Sequence, residues 1–110
     1  TPGQAADASA FALEAVMGLV CDPVAGLVEC PCIKRNAFGA VQALLAIDMA
    51  LAGIKSVIPA DEVITAMGEV GRSMPESLRE TAKGGIAATP TGKKIAERLT
   101  KSSNPHSRLS

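Results

Sequence analysis

Apolar residues recur at helical spacing along most of the 110-residue chain, and the breaks between these runs carry Pro, Gly and capping residues. Ala6, Ala10, Leu13, Met17 and Val20 fall on one helical face, with Gln4, Asp7, Ser9 and Glu14 on a more polar one. Thr1-Pro2-Gly3-Gln4 sets a Thr cap, a Pro at the first helical position and a Gln three residues after the cap. The pattern predicts a helix from about Pro2 to Leu19. From Asn36 to Gly53 the text is NAFGAVQALLAIDMALAG, where only Gln42 and Asp48 interrupt the apolar surface once Asn36 has served as a cap. A helix apolar nearly all round is a buried one, and Gly53 is a natural stop. Asp61 is placed to cap a third helix that turns Val63, Ile64, Met67 and Val70 inward as far as Gly71. Met74-Pro75-Glu76 restarts a short helical segment to about Thr81, and Thr91 to Leu99 reads as the last helix. The fold expected is all-α, with four to five helices around a buried central helix at about 36–53. Residues 1–100 form the domain, and the polar, Ser-rich residues 101–110 read as a disordered or vector-derived tail.

Composition narrows this picture. The chain is 47% hydrophobic but only 2% aromatic, with no Trp and no Tyr, so its core is built from small aliphatic pieces. Eleven basic and eleven acidic residues cancel, which leaves no electrostatic footprint for nucleic acid or an anionic membrane. No apolar run reaches the roughly 18–20 residues that span a bilayer, and no basic leader opens the chain. A soluble, cytoplasmic polypeptide is expected. The absence of an initiator Met reads as a processed product or an excised fragment.

Cys21 to Asn36, CDPVAGLVECPCIKRN, holds all three cysteines together with Pro23, Gly26 and Pro31. Pro removes backbone donors and Gly loosens the backbone, so the stretch reads as a shaped loop. An odd number of clustered cysteines is a poor disulfide framework and leans toward metal binding or reactivity. Cysteines that simply pack as small hydrophobes are the equal alternative. Thiolates suit zinc, copper(I) or iron–sulfur clusters. A zinc finger wants a second Cys pair or histidines, and a Cys nucleophile wants a His base. The one histidine, His106, lies in the expected tail.

Lys83 to Gly92, KGGIAATPTG, admits two readings. One is a phosphate loop, which the missing Gly-Lys-Ser/Thr ending weakens. The other is a turn between helices followed by a cap, which the periodicity favours.

The strings GLVCDPVAGLVECPCIKRNAFGAVQALLAIDMALAG, IPADEVITAMGEVG and MPESLRETAKGGIAATPTG, in that order, closely resemble the C-terminal third of the catalytic alpha chain of iron–sulfur-dependent L-serine dehydratases, in their two-chain form. The resemblance covers Thr1 to about Leu99. It implies a four-iron four-sulfur cluster held by three thiolates with one iron open to substrate. It also implies dehydration of L-serine to an enamine that hydrolyses to pyruvate and ammonia. Cys21 and Cys32 match the family's two ligands in this region, Cys30 stands at a usually apolar position and reads as a core or incidental thiol, and the third ligand lies upstream of this chain. Arg35 is a candidate for the substrate carboxylate, or else a partner at the start of the central helix. Asn36 is a helix cap, a hydrogen-bond partner to a cluster sulfur, or both. Lys34 reads as facing water. Gly84, Gly85 and Thr89 are expected to shape the active-site cavity through their backbone. No residue here identifies the base.

The remainder of the alpha chain and a beta chain are the implied partners. The isolated piece is expected to be inactive, to hold a cluster poorly on two thiolates, and to self-associate through uncovered apolar helix faces. A small helical interaction domain or a zinc-binding module with structural cysteines is the competing reading.

Overall fold

A computed structural model of the chain describes residues 1–103, and those residues are helical with no strand among them. Four α-helices follow in order: α1 (Pro2–Val16), α2 (Cys32–Leu51), α3 (Ala60–Ser73) and α4 (Pro90–Ser103). Single 3₁₀ turns lie at Val24–Gly26, Glu76–Leu78 and Gly85–Ala88. The all-α expectation stands. The chain divides into two compact units, one of Thr1–Leu19 with Arg35–Met74, the other of Val20–Lys34 with the chain from Pro75 on.

In the first unit the Thr1 hydroxyl accepts from the Gln4 N–H, and the Gln4 side chain reaches back to the Thr1 amine, completing the expected capping box. α1 packs against α3, and the buried residues of the two helices are Ala10 and Val63 respectively, 0% and 2% exposed. The connection after α2 is tied down to α1 by the Ser56 N–H, which donates to the Asp7 carboxylate at 3.0 Å. Pro59 stands immediately before α3, so Asp61 falls inside the first turn rather than at the cap. There it still faces the positive end of the helix dipole.

α2 departs from the expected helix in two ways. It begins at Cys32, because the obstacles to helix, Pro23, Gly26 and Pro31, all precede that residue and nothing from Cys32 to Asn36 opposes the helical turn. Asn36 is therefore an exposed residue of the helix interior and not its cap. The expected burial is also confined to a small-residue stripe. Ala46 and Ala50 are buried, whereas Phe38, Val41, Leu44, Leu45 and Leu51 all stay exposed. The Gln42 side chain also finds a partner, donating to the Ala12 carbonyl of α1 at 3.3 Å.

In the second unit α4 packs against the Val24–Gly26 and Gly85–Ala88 turns, and those turns pack on each other. Pro23, Val24 and Ala87 are buried there. α4 runs from Pro90 through Ser103, longer at both ends than the Thr91–Leu99 expected. The rest of the expected tail, with His106, lies outside the described residues. No helix among the described residues is long and apolar enough to cross a membrane.

Candidate functional site

The cysteine loop is shaped by backbone pairing at both of its ends. Cys21 donates its N–H to the Leu78 carbonyl at 2.9 Å and accepts at its own carbonyl from the Glu80 N–H at 2.6 Å. The pair makes an isolated parallel bridge between Cys21 and Arg79. Further on, the Val24 N–H donates to the Cys30 carbonyl at 2.9 Å, closing the intervening residues into a loop. Ala25 and Gly26 turn that loop at φ 57° and 72°. The Ile33 N–H then donates to the Glu29 carbonyl at 3.1 Å and leads into α2.

Between these pairings sits Asp22, 2% exposed, whose Oδ2 accepts from the Ile86 N–H at 2.6 Å. A carboxylate taken out of water is costly unless hydrogen bonded, and a bond this short is typical of a charged acceptor. The Gly85–Ala88 turn is thereby joined to the cysteine loop. Gly85 holds φ 60°, and a Cβ there would stand 2.7 Å from both Cβ and Cγ of Asp22, so only glycine permits this approach.

The same segment decides between the two readings of Lys83 to Gly92. The Thr89 hydroxyl accepts from the Gly92 N–H at 3.1 Å and donates to the Ile86 carbonyl at 2.7 Å, so Thr89 caps α4 and Pro90 takes the first helical position. Gly92 is buried, with no room for a Cβ: one would lie 2.6 Å from the Ile86 carbonyl oxygen and 2.9 Å from that of Ala87. These glycines serve close packing, and the stretch is a turn followed by a cap rather than a phosphate loop.

All three cysteines carry thiols. Cys21 and Cys30 are exposed and Cys32 is half-buried, so burial within this chain accounts for none of them, and Cys30 is no part of its core. Cys21, Cys32, Gly84, Gly85 and Thr89 belong to the second unit. Among the described residues no three His, Cys, Asp or Glu side chains are gathered to hold a metal ion, so the three thiols do not converge as a set. Lys34 is exposed, as its reading required. Arg35 follows Cys32 by one turn on α2, is half-buried, and lines an apolar groove of the first unit with Leu19, Phe38 and Val41. Asp22 was legible only as one letter of the Cys-Asp-Pro string. An acidic residue between Cys and Pro, ahead of the apolar run Val24–Val28, was the available signal, and nothing in its spacing pointed to Ile86.

The second unit thus carries an exposed thiol on a doubly paired backbone, next to a buried carboxylate that joins it to a glycine-containing turn, within an all-helical chain. The chain belongs to the serine dehydratase alpha chain family, whose model matches residues 1–87. It is 61% identical over 99 residues to a Bacillus subtilis protein named "Probable L-serine dehydratase, alpha chain", covering 90% of this chain and 33% of that one. It is 55% identical over 95 residues to the L-serine dehydratase alpha chain of Peptoniphilus asaccharolyticus, covering 86% and 32%. Against L-serine dehydratase TdcG of Escherichia coli the identity is 44% over 88 residues, covering 79% and 19%. The chain thus spans about a third of the alpha chains and a fifth of the longer enzyme. No solved structure matches it.

Proposed function

We propose that this chain is the C-terminal part, over residues 1–100, of the catalytic alpha chain of an iron–sulfur L-serine dehydratase, a cytoplasmic lyase that converts L-serine to pyruvate and ammonia. The observation that carries the reading is the Cys21 thiol, exposed on a backbone that is hydrogen bonded on both sides and anchored next door by a buried carboxylate. A side chain kept only for packing needs no such support, whereas a metal ligand does.

The donor chemistry of Cys21 and Cys32 fits a four-iron four-sulfur cluster, since thiolates are its usual ligands. Two such residues leave the cluster short of a third protein ligand, which the upstream part of the alpha chain supplies in this reading. When bound, the cluster supplies an open Lewis-acidic iron for the leaving hydroxyl. The residues of this chain hold and orient: Cys21 and Cys32 are the ligands, and Cys30, outside the ligand pair, is dispensable. Arg35, one turn after Cys32, takes the substrate carboxylate in its guanidinium fork. Asn36, the next residue of α2, would donate to the cluster when it is bound. A separate beta chain completes the enzyme, in keeping with relatives that are named as alpha chains.

The test is anaerobic reconstitution of the complete two-chain enzyme with iron and sulfide. Visible absorption of a cluster and pyruvate formation from L-serine are expected, with both lost in Cys21→Ser and Cys32→Ser and both kept in Cys30→Ser. A reconstituted enzyme that makes no pyruvate sinks the reading. A cluster that survives both ligand substitutions sinks the residue assignment.

A further inference from the structure

Among the described residues Asp22 is the one buried charged side chain, and the reaction as read above gives it no task. We propose that Asp22 is a positioning residue: by accepting the Ile86 N–H it locks the backbone at Cys21 and Asp22 onto the Gly85–Ala88 turn and so fixes where the Cys21 thiol stands. The proposal rests on the reading of Cys21 as a cluster ligand.

Four observations converge on this role. The Asp22–Ile86 bond is 2.6 Å long and part-buried, with its acceptor residue 2% exposed, and a hydrogen bond to a charged acceptor is among the strong ones. The donor is itself immobilised, because the Ile86 carbonyl accepts from the Thr89 hydroxyl and lies against Gly92 at the start of α4. The acceptor is immobilised too, because Pro23 and Val24 beside it are buried and a Gly85 side chain is sterically excluded. Finally, Cys21 is paired through its own N–H and C=O with Leu78 and Glu80, so the backbone is held on both sides of the residue that Asp22 adjoins. A continuous line of fixed groups runs from the first turn of α4 through Ile86 and Asp22 to Cys21, all within one compact unit. Groups that hold a ligand in this way commonly change metal affinity by roughly 10–100-fold when removed.

The experiment compares Asp22→Ala, Asp22→Asn and Cys21→Ser in the complete enzyme, reconstituted anaerobically, by the rate at which a chelator extracts iron and by the electron paramagnetic resonance spectrum of the cluster. Asn keeps the shape but exchanges a charged acceptor for a neutral one, whose bond is about half as strong. Iron extraction is expected to quicken in the order wild type, Asp22→Asn, Asp22→Ala, at least tenfold for Ala, with an altered spectrum in the folded Ala variant. A folded Ala variant with wild-type extraction and spectrum overturns the proposal. Should the Ala variant fail to fold, the Asn variant decides alone: wild-type extraction there overturns the proposal, and faster extraction supports it. The Cys21→Ser control separates the two levels of the argument. A cluster kept in that variant removes the ligand reading and the proposal together. A cluster lost there, beside unaltered Asp22 variants, removes the proposal alone.

Discussion

A side chain on Gly85 would begin 2.7 Å from Cβ and Cγ of Asp22, which makes the glycine as much a part of the Asp22 anchor as the carboxylate is. Gly85 also holds φ 60°, where any L side chain is strained. Strain and overpacking each cost on the order of 1–3 kcal/mol. Gly85→Ala is therefore expected to destabilise the complete alpha chain by about 2 kcal/mol or more, read as a lower urea midpoint. A midpoint equal to that of wild type would show that the turn moves aside without cost.

Thr89 is a helix cap with its hydroxyl engaged on both sides. Thr89→Ala is expected to cost about 1 kcal/mol, with Ser restoring most of it. Urea unfolding of the three proteins checks the order. Because the capping role is structural, the KM for L-serine in the folded Thr89→Ser enzyme should match that of wild type.

The large apolar side chains of α2 predict association. Phe38, Val41, Leu44 and Leu51 are each more than 60% exposed, on a chain a third as long as its alpha-chain relatives. Contiguous apolar surface beyond a few hundred Å² drives contact with another surface. The 110-residue chain alone should sediment as a concentration-dependent oligomer, and Phe38→Lys with Leu44→Glu should shift it toward monomer. A wild-type chain that stays monomeric at high concentration contradicts this.

At Glu76 the Lys83 ammonium donates at 3.0 Å, and that hydrogen bond, with its charge, holds the Glu76 carboxyl below its ordinary 4.5. The sign follows from linkage: a depressed carboxyl contributes stability above its unfolded value and loses it as pH falls through the folded one. The pair is exposed, so its effect on stability is small and salt-sensitive. A titration of Glu76 followed by nuclear magnetic resonance should show a midpoint under 4.5, rising in Lys83→Met. No rise would mean the contact is absent in solution.

The sequence by itself determined what local physics controls. The Thr1–Gln4 capping box, the helical periods and the Pro and Gly breaks were legible because propensity and capping act over a few residues. The cysteine loop was legible in the same way, except that its last five residues turned out to be helix once no Pro or Gly opposed it. Only the tertiary structure decided which apolar residues have neighbours. The periodicity of α2 reports that its surface is apolar nearly all round, but burial depends on what lies opposite, and here Ala46 and Ala50 are its fully buried residues. Likewise the Cys-Asp-Pro string announces an unusual loop, while the partner of Asp22 is 64 residues away, at Ile86. Contacts over such separations are made by packing that no local pattern encodes, which is why the anchor beside Cys21 became visible only in three dimensions.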